Sequence, residues 1–156
     1  MIRWTAVLAI SFSGLMPLSS MASGVVLTVE APSGAQVFEM DDLRALPAET
    51  FETETIWTDG KQTFTGVPLS ELTAALGIEA GVLEAMAINA YAVEIPVSDA
   101  IDGGPVIAYE RNGAEMSVRE KGPLWIVYPY DSDPRYRTEE IYSRSIWQLE
   151  KITVKD

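Results

Sequence analysis

The sequence predicts a β-rich α+β single domain with one main helix, and three observations carry the prediction. Short apolar and β-branched runs recur between turn signals along the whole chain. Two of those turns are Asp59-Gly60 and Asn112-Gly113, the dipeptides that tight hairpins require. Only one stretch, about residues 68–76, repeats its apolar residues at helical spacing.

In order, Val25 to Val29 is predicted as a first strand and Ala35 to Met40 as a second, with Pro32-Ser-Gly34 as the turn. Asp41 caps a short helix through Leu46, stopped by Pro47. Phe51, Thr53, Thr55 and Trp57 alternate with Glu52, Glu54 and Ile56, as in a strand with one covered face, and Asp59-Gly60 turns it into Gln62 to Thr65. Pro68 opens the main helix, Leu69, Leu72, Ala75 and Leu76 line one side, and Gly77 ends it. Short strands follow over Glu84 to Asn89 and Ala92 to Pro96, around Ala90-Tyr91. Ser98 caps a brief helical turn through Ile101, which Asp102-Gly-Gly104 breaks. Val106 to Glu110 pairs through Asn112-Gly113 with Ala114 to Val118. Leu124 to Tyr128, an apolar run between Pro123 and Pro129, reads as a strand covered on both faces. A long polar loop comes next, and Ser145 to Val154 ends the chain as a strand.

Residues 1–22 have the layout of a secretory signal: Arg3, an apolar stretch from Trp4 to Met16 too short to span a bilayer, and the small residues before Ala22. Cleavage there leaves residues 23–156 as one exported domain, without direct membrane insertion. The chain has no Cys, so an exported form must be held by packing alone. With 23 acidic and 11 basic residues the net charge is -12, which repels nucleic acid and anionic lipid as partners.

The chain has no His either. That removes Ser-His and Cys-His nucleophilic catalysis and every metal site that needs imidazole or sulfur. Asp131, Asp133, Glu139 and Glu140 cluster in sequence, but Arg135 and Tyr136 stand where a calcium loop needs a ligand and a glycine, so calcium is disfavoured. The same carboxylates could in principle run acid–base chemistry, though acidic loops in so acidic a chain are ordinarily just solvated. The aromatic and planar groups offer a better site. Pro129 ends the buried strand, and Tyr130, Asp131 and nearby arginines are then expected at the surface. Trp57, Tyr91, Tyr130, Asp131, Arg137, Arg144 and Trp147 are the candidate ligand-binding residues. Rings at strand ends stack on flat ligands, and a carboxylate such as Asp131 accepts two parallel hydrogen bonds from a planar N–C–N donor edge. The competing reading makes Trp147 core and pairs Asp131 with Arg137 or Arg144.

Several motifs in order resemble the molybdopterin-binding domain of sulfite-oxidase-like oxidoreductases: Phe64-Thr-Gly-Val-Pro-Leu69, Tyr91-Ala-Val-Glu-Ile-Pro96 with Asp99, Asn112-Gly113, Gly122-Pro-Leu-Trp-Ile-Val127 with Pro129, and Ser145-Ile-Trp147 with Ile152. The resemblance covers about residues 51–154 and implies a compact β-rich mixed fold with a pterin site at its loop ends. Catalytic members carry a molybdenum-binding Cys before the equivalent of Gly66-Val67-Pro68. Here that region is Thr53 to Gly60, without a thiol, and the basic residues for a cofactor phosphate are sparse, chiefly Arg135, Arg137 and Arg144.

Gly122 to Asp131 and Tyr142 to Gln148 are similar to a short, secreted, cysteine-free branch of the fold, the pterin-binding proteins. That likeness implies a periplasmic, non-catalytic protein that binds a free reduced pterin and regulates a membrane-bound partner, a cyclic-di-GMP enzyme or a sensor kinase, through its periplasmic domain. In that role Asp131 would accept the pterin edge, Trp57 and Tyr130 would flank the ring, and Arg137 or Arg144 would meet its carbonyl. Two alternatives stay open: an oxidoreductase that holds molybdopterin without the cysteine ligand, and a degenerate fold serving as a protein-interaction module.

Overall fold

A computed structural model describes residues 24–156, so the expected signal sequence at 1–22 lies outside the described residues. The chain builds two sheets. The first contains β1 (Val25–Ala31), β2 (Gly34–Glu39), β5 (Val82–Ala87), β6 (Ala92–Pro96) and β10 (Leu149–Lys155), in the order β2-β1-β10-β5-β6. Only the β1–β10 pair is parallel, with Val29 opposite Ile152. The second sheet contains β3 (Glu49–Glu54), β4 (Lys61–Pro68), β7 (Val106–Arg111) and the two-residue β8 (Ala114–Glu115) in sequence order, with β9 (Trp125–Val127) also paired to β7. Three short helices complete the domain: α1 (Met40–Ala45), α2 (Leu69–Ala75) and α3 (Glu139–Arg144). The coarse class read from the sequence, β-rich α+β with few helices, is the class observed. None of the helices among the described residues is long and apolar enough to cross a membrane.

Alternation is the physical basis of the first sheet's packing. Leu27 and Val29 of β1, Leu83, Ala85 and Ala87 of β5, and Leu149 and Ile152 of β10 are buried, while intervening residues are at least partly exposed. In β3 and its following turn, Thr53 and Thr55 are buried and Glu52, Glu54 and Ile56 exposed, so the sequence alternation is correct even though the strand stops at Glu54. β9 departs from alternation because it is covered on both faces: Trp125, Ile126 and Val127 are all fully buried. Apolar side chains from both sheets and from α1 and α2 join in one core cluster.

Several boundaries moved for identifiable reasons. The main helix predicted at 68–76 is α2, only seven residues long and one longer than α1 or α3. Pro68 still belongs to β4, and Gly77, at a φ of 67°, ends the helix in the left-handed region that glycine tolerates. The return strand expected over 114–118 stops at Glu115, because Ser117 and Glu120 close a capping box around a 3₁₀ turn at Val118–Glu120. The final strand begins at Leu149 and not Ser145, since Gln148 has a positive φ and residues 145–149 bond to β9 instead. The loop expected after Pro129 contains a 3₁₀ turn, Pro134–Tyr136, and then α3. Thr138 caps α3 by accepting the Ile141 N–H, Glu139 and Glu140 fill its first turn, and Arg144 its last.

Gly66 marks the tightest approach in the second sheet. The register of β4 against β7 shifts between Thr65 and Gly66, and a Cβ at position 66 would lie 2.1 Å from the Ile107 carbonyl oxygen. Backbone cannot swing aside as a side-chain tip does. Gly66→Ala is therefore expected to destabilise the domain by about 3 kcal/mol, the upper end for overpacking, measured as a shift in the urea midpoint at unchanged slope.

Candidate functional site

Local bonding brings three separate segments together. The β5–β6 turn is closed by Ala87 donating to the Tyr91 carbonyl at 2.8 Å, with Ala90 at a φ of 65°. Its Ile88 N–H donates to the Gln148 carbonyl at 3.0 Å, which docks the turn on the 145–148 segment. That segment is fixed in turn to β9 and the residue before it, where Ile126 donates to Ile146 at 2.9 Å and Leu149 to Leu124 at 2.9 Å. The β3–β4 hairpin loop contributes Trp57, whose ring meets the edges of four others.

Those contacts are T-shaped: Trp57 lies 5.5 Å from Trp147, 5.8 Å from Tyr142, 6.0 Å from Trp125 and 6.4 Å from Tyr130, centroid to centroid. Each such pair contributes on the order of 1 kcal/mol beyond area burial. The Lys121 ammonium sits 4.1 Å from the Trp147 ring centroid, a cation–π contact.

A cavity of about 300 Å³ lies where these segments meet. Trp57, Tyr91, Tyr142 and Trp147 supply its rings, Asn89, Ser143, Ser145 and Gln148 its polar groups, and Ala87 and Ile146 further apolar surface. No lining side chain carries a charge. The wall can therefore recognise by stacking and hydrogen bonding, but it offers no carboxylate, imidazole or ammonium to move a proton near neutral pH. Ser145 is no exposed nucleophile: it is buried, donates to the Ile141 carbonyl at 2.8 Å and accepts the Tyr130 hydroxyl at 2.6 Å.

Of the seven residues singled out in the sequence, Trp57, Tyr91 and Trp147 line this cavity and the other four do not. Tyr130 is 1% exposed, so the expectation that it stands at the surface beside a ligand is corrected. The chain folds back at once after Pro129, with Tyr130 N–H donating to the Tyr128 carbonyl at 2.9 Å, and the ring turns into the core. Asp131 and Arg137 pair with each other at 2.9 Å, and the Arg137 Nε donates to the Tyr130 carbonyl at 2.9 Å. Arg144 bonds Asp99 at 2.9 Å and Glu140, and Asp99 also accepts the Tyr128 hydroxyl at 2.8 Å. The acidic run at 131–140 does not converge: no group of three acidic side chains able to hold a metal occurs among the described residues.

Asp131 has a different task. One carboxylate oxygen accepts the Glu54 N–H at 3.0 Å, and the Asp131 N–H donates to Thr53 Oγ1 at 3.1 Å. These bonds hold the end of β3 just before the loop that carries Trp57. Sequence reasoning missed Asn89, Tyr142, Ser143, Ser145 and Gln148. The positive φ of Ala90 and Gln148 bends the chain there, and neither residue type signals such a bend. No family model matches the chain, and no curated protein matches it.

Two predictions follow from this geometry. Asp131→Ala should lower stability by about 1–2 kcal/mol through the unpaired Glu54 N–H and the freed Arg137, and should weaken the near-UV circular dichroism of the Trp57 cluster. Tyr128 and Tyr130 have hydroxyl pKa values raised well above 10.0, both chiefly by burial, with Tyr128 raised further by the charge and hydrogen bond of Asp99. A raised tyrosine favours the native state fully below about pH 10 and less as pH climbs beyond it, because the unfolded chain ionises first. Spectrophotometric titration should show Tyr128 and Tyr130 ionising only as the protein unfolds in alkali, and that late-ionising signal should shrink in Tyr128→Phe.

Proposed function

We propose that the chain is a non-catalytic binding protein for a free reduced pterin, working in the periplasm as a regulator of a membrane-bound signalling partner. The observation that carries the ligand class is the cavity lined by Trp57, Tyr91, Tyr142 and Trp147 without a charged side chain. Four rings around a small space favour a flat, uncharged bicycle over a flexible or ionic ligand. The volume of about 300 Å³ is at the low end for ligand pockets, which suits a ligand smaller than a dinucleotide. A phosphorylated cofactor such as molybdopterin would find no Lys or Arg in that lining, and the arginines at 137 and 144 are occupied by carboxylates.

What supports export and the signalling partner is the pattern of residues 1–22 and the resemblance of Gly122 to Asp131 and Tyr142 to Gln148 to secreted pterin-binding proteins. The finer assignment of the fold to the molybdopterin-binding type rests on the same motif order. Asp131 enters this reading as the residue that fixes the Trp57 loop, in place of a direct hydrogen-bond acceptor for the ligand.

Titration of the purified protein with tetrahydropterin, followed by tryptophan fluorescence, should give a saturable change, since Trp57 and Trp147 both line the cavity. Tyr91 is 57% exposed, so Tyr91→Ala should leave the melting temperature unchanged and weaken binding about tenfold, the loss of one aromatic contact. No saturable change in the wild-type protein would overturn the reading.

A further inference from the structure

We infer that the free edge of β3 is a docking site for an extended, basic segment of a partner protein, which joins the second sheet there as an added strand. The cavity plays no part in this inference, which names the kind of segment a protein partner would bring.

Among the described residues β3 pairs with β4 on one side and with no strand on the other. The pairing is regular from Glu49 opposite Gly66 to Glu54 opposite Lys61, so successive residues aim their backbone groups alternately at β4 and away from it. Asn112, at the end of β7, decides which set does which. Its N–H donates to the Thr63 carbonyl at 2.7 Å and its Oδ1 accepts the Thr63 N–H at 2.9 Å, so both backbone groups of Thr63 face away from β3. Glu52 is opposite Thr63 and must turn its own N–H and C=O outward, as must Thr50 and Glu54 two residues to either side. The Glu54 N–H has that direction: it leaves the sheet for the Asp131 carboxylate at 3.0 Å. No such cover meets Thr50 or Glu52, both exposed, whose outward backbone groups have no hydrogen bond among the described residues.

Charge selects the occupant. Glu52 and Glu54 lie exposed on one face of the strand, and Glu49 is half-buried on the other face with Phe51. Lys61 offsets them weakly, reaching Glu52 at 4.0 Å from an exposed position. A second copy paired antiparallel on this edge would bring glutamates against glutamates, and like charges directly opposite destabilise a strand pair. Charged side chains of this kind are an ordinary defence of an edge strand against self-association. The same charges that turn away a second acidic chain attract a basic one, so they discriminate between partners. Half-buried Phe51 on the reverse face suits an apolar neighbour. The complementary segment thus alternates basic with apolar residues, and its backbone supplies the bonds that Thr50 and Glu52 lack.

The test adds a short peptide of alternating lysine and valine to the full protein and follows amide hydrogen exchange residue by residue. Thr50 and Glu52 should exchange fast in the free protein and slow at least about tenfold with saturating peptide, while Phe51 and Thr53, which face β4, change little. A peptide with glutamate in place of each lysine should not bind. Glu52→Gln combined with Glu54→Gln should weaken the lysine peptide about fivefold at an unchanged melting temperature, the loss of two surface ion pairs. No saturable binding, protection elsewhere than at Thr50 and Glu52, or equal binding to the double variant would overturn the inference. So would protection of these two amides before any peptide is added: independent of protein concentration, it would assign the edge to another segment of this chain, and rising with concentration, to a second copy. None of these outcomes touches the reading of the cavity.

Discussion

Everything else in this domain depends on finding partners for the backbone of β9. Trp125, Ile126 and Val127 are fully buried, so each of their N–H and C=O groups must be met inside the protein, at a penalty of about 1–3 kcal/mol for each one left unpaired. On one side β7 answers, with Ile107 opposite Ile126. On the other side no strand of the second sheet is available, and the segment 145–149 takes that place through Ile126–Ile146 and Leu124–Leu149 hydrogen bonds. Because the same segment runs on into β10, central in the first sheet, satisfying β9 also ties one sheet to the other.

The cavity is a by-product of that tie. To reach β9 and then turn into β10, the chain bends at Gln148, and the bend leaves a space that the β5–β6 turn and α3 border but do not fill. Trp57 closes one side from a third direction, on a hairpin loop whose position is set by the Asp131 carboxylate at Glu54. Asp99 joins the 3₁₀ turn after β6, the end of β9 and α3 through Tyr128 and Arg144, so the helix beside the cavity is anchored at its last turn. A ligand in the cavity would thus touch elements from both sheets and from α3, each held by a distinct polar contact.

The fold was more legible in the sequence than the site, for a physical reason. Hairpins at Asn112-Gly113 and Pro32-Ser-Gly34, the helix from Leu69, and the doubly covered strand at 125–127 are all specified by local chemistry that a single segment displays. Trp57, Tyr91 and Trp147 were visible because aromatic residues at strand ends are conspicuous. Tyr130 was misplaced because its destination depends on a partner 15 residues away, Ser145, and the Asp131 bond to the Glu54 N–H, 77 residues away, was equally hidden, since no local pattern encodes either. The α3 helix did carry a local signal, Thr138 followed by two glutamates and closed by Arg144, but its six residues are too short for periodicity to stand out.

The electrostatics divide the molecule in a way that bears on how it could recognise anything. A net charge of -12 makes the surface repel anions at long range, yet the cavity wall is neutral, and the basic groups nearest to it are committed: Arg144 to Asp99 and Glu140, Lys121 to the face of Trp147. An anionic ligand is thus opposed on approach and finds no free cation on arrival. An uncharged ring meets neither obstacle, since stacking on the lining rings is not screened by salt.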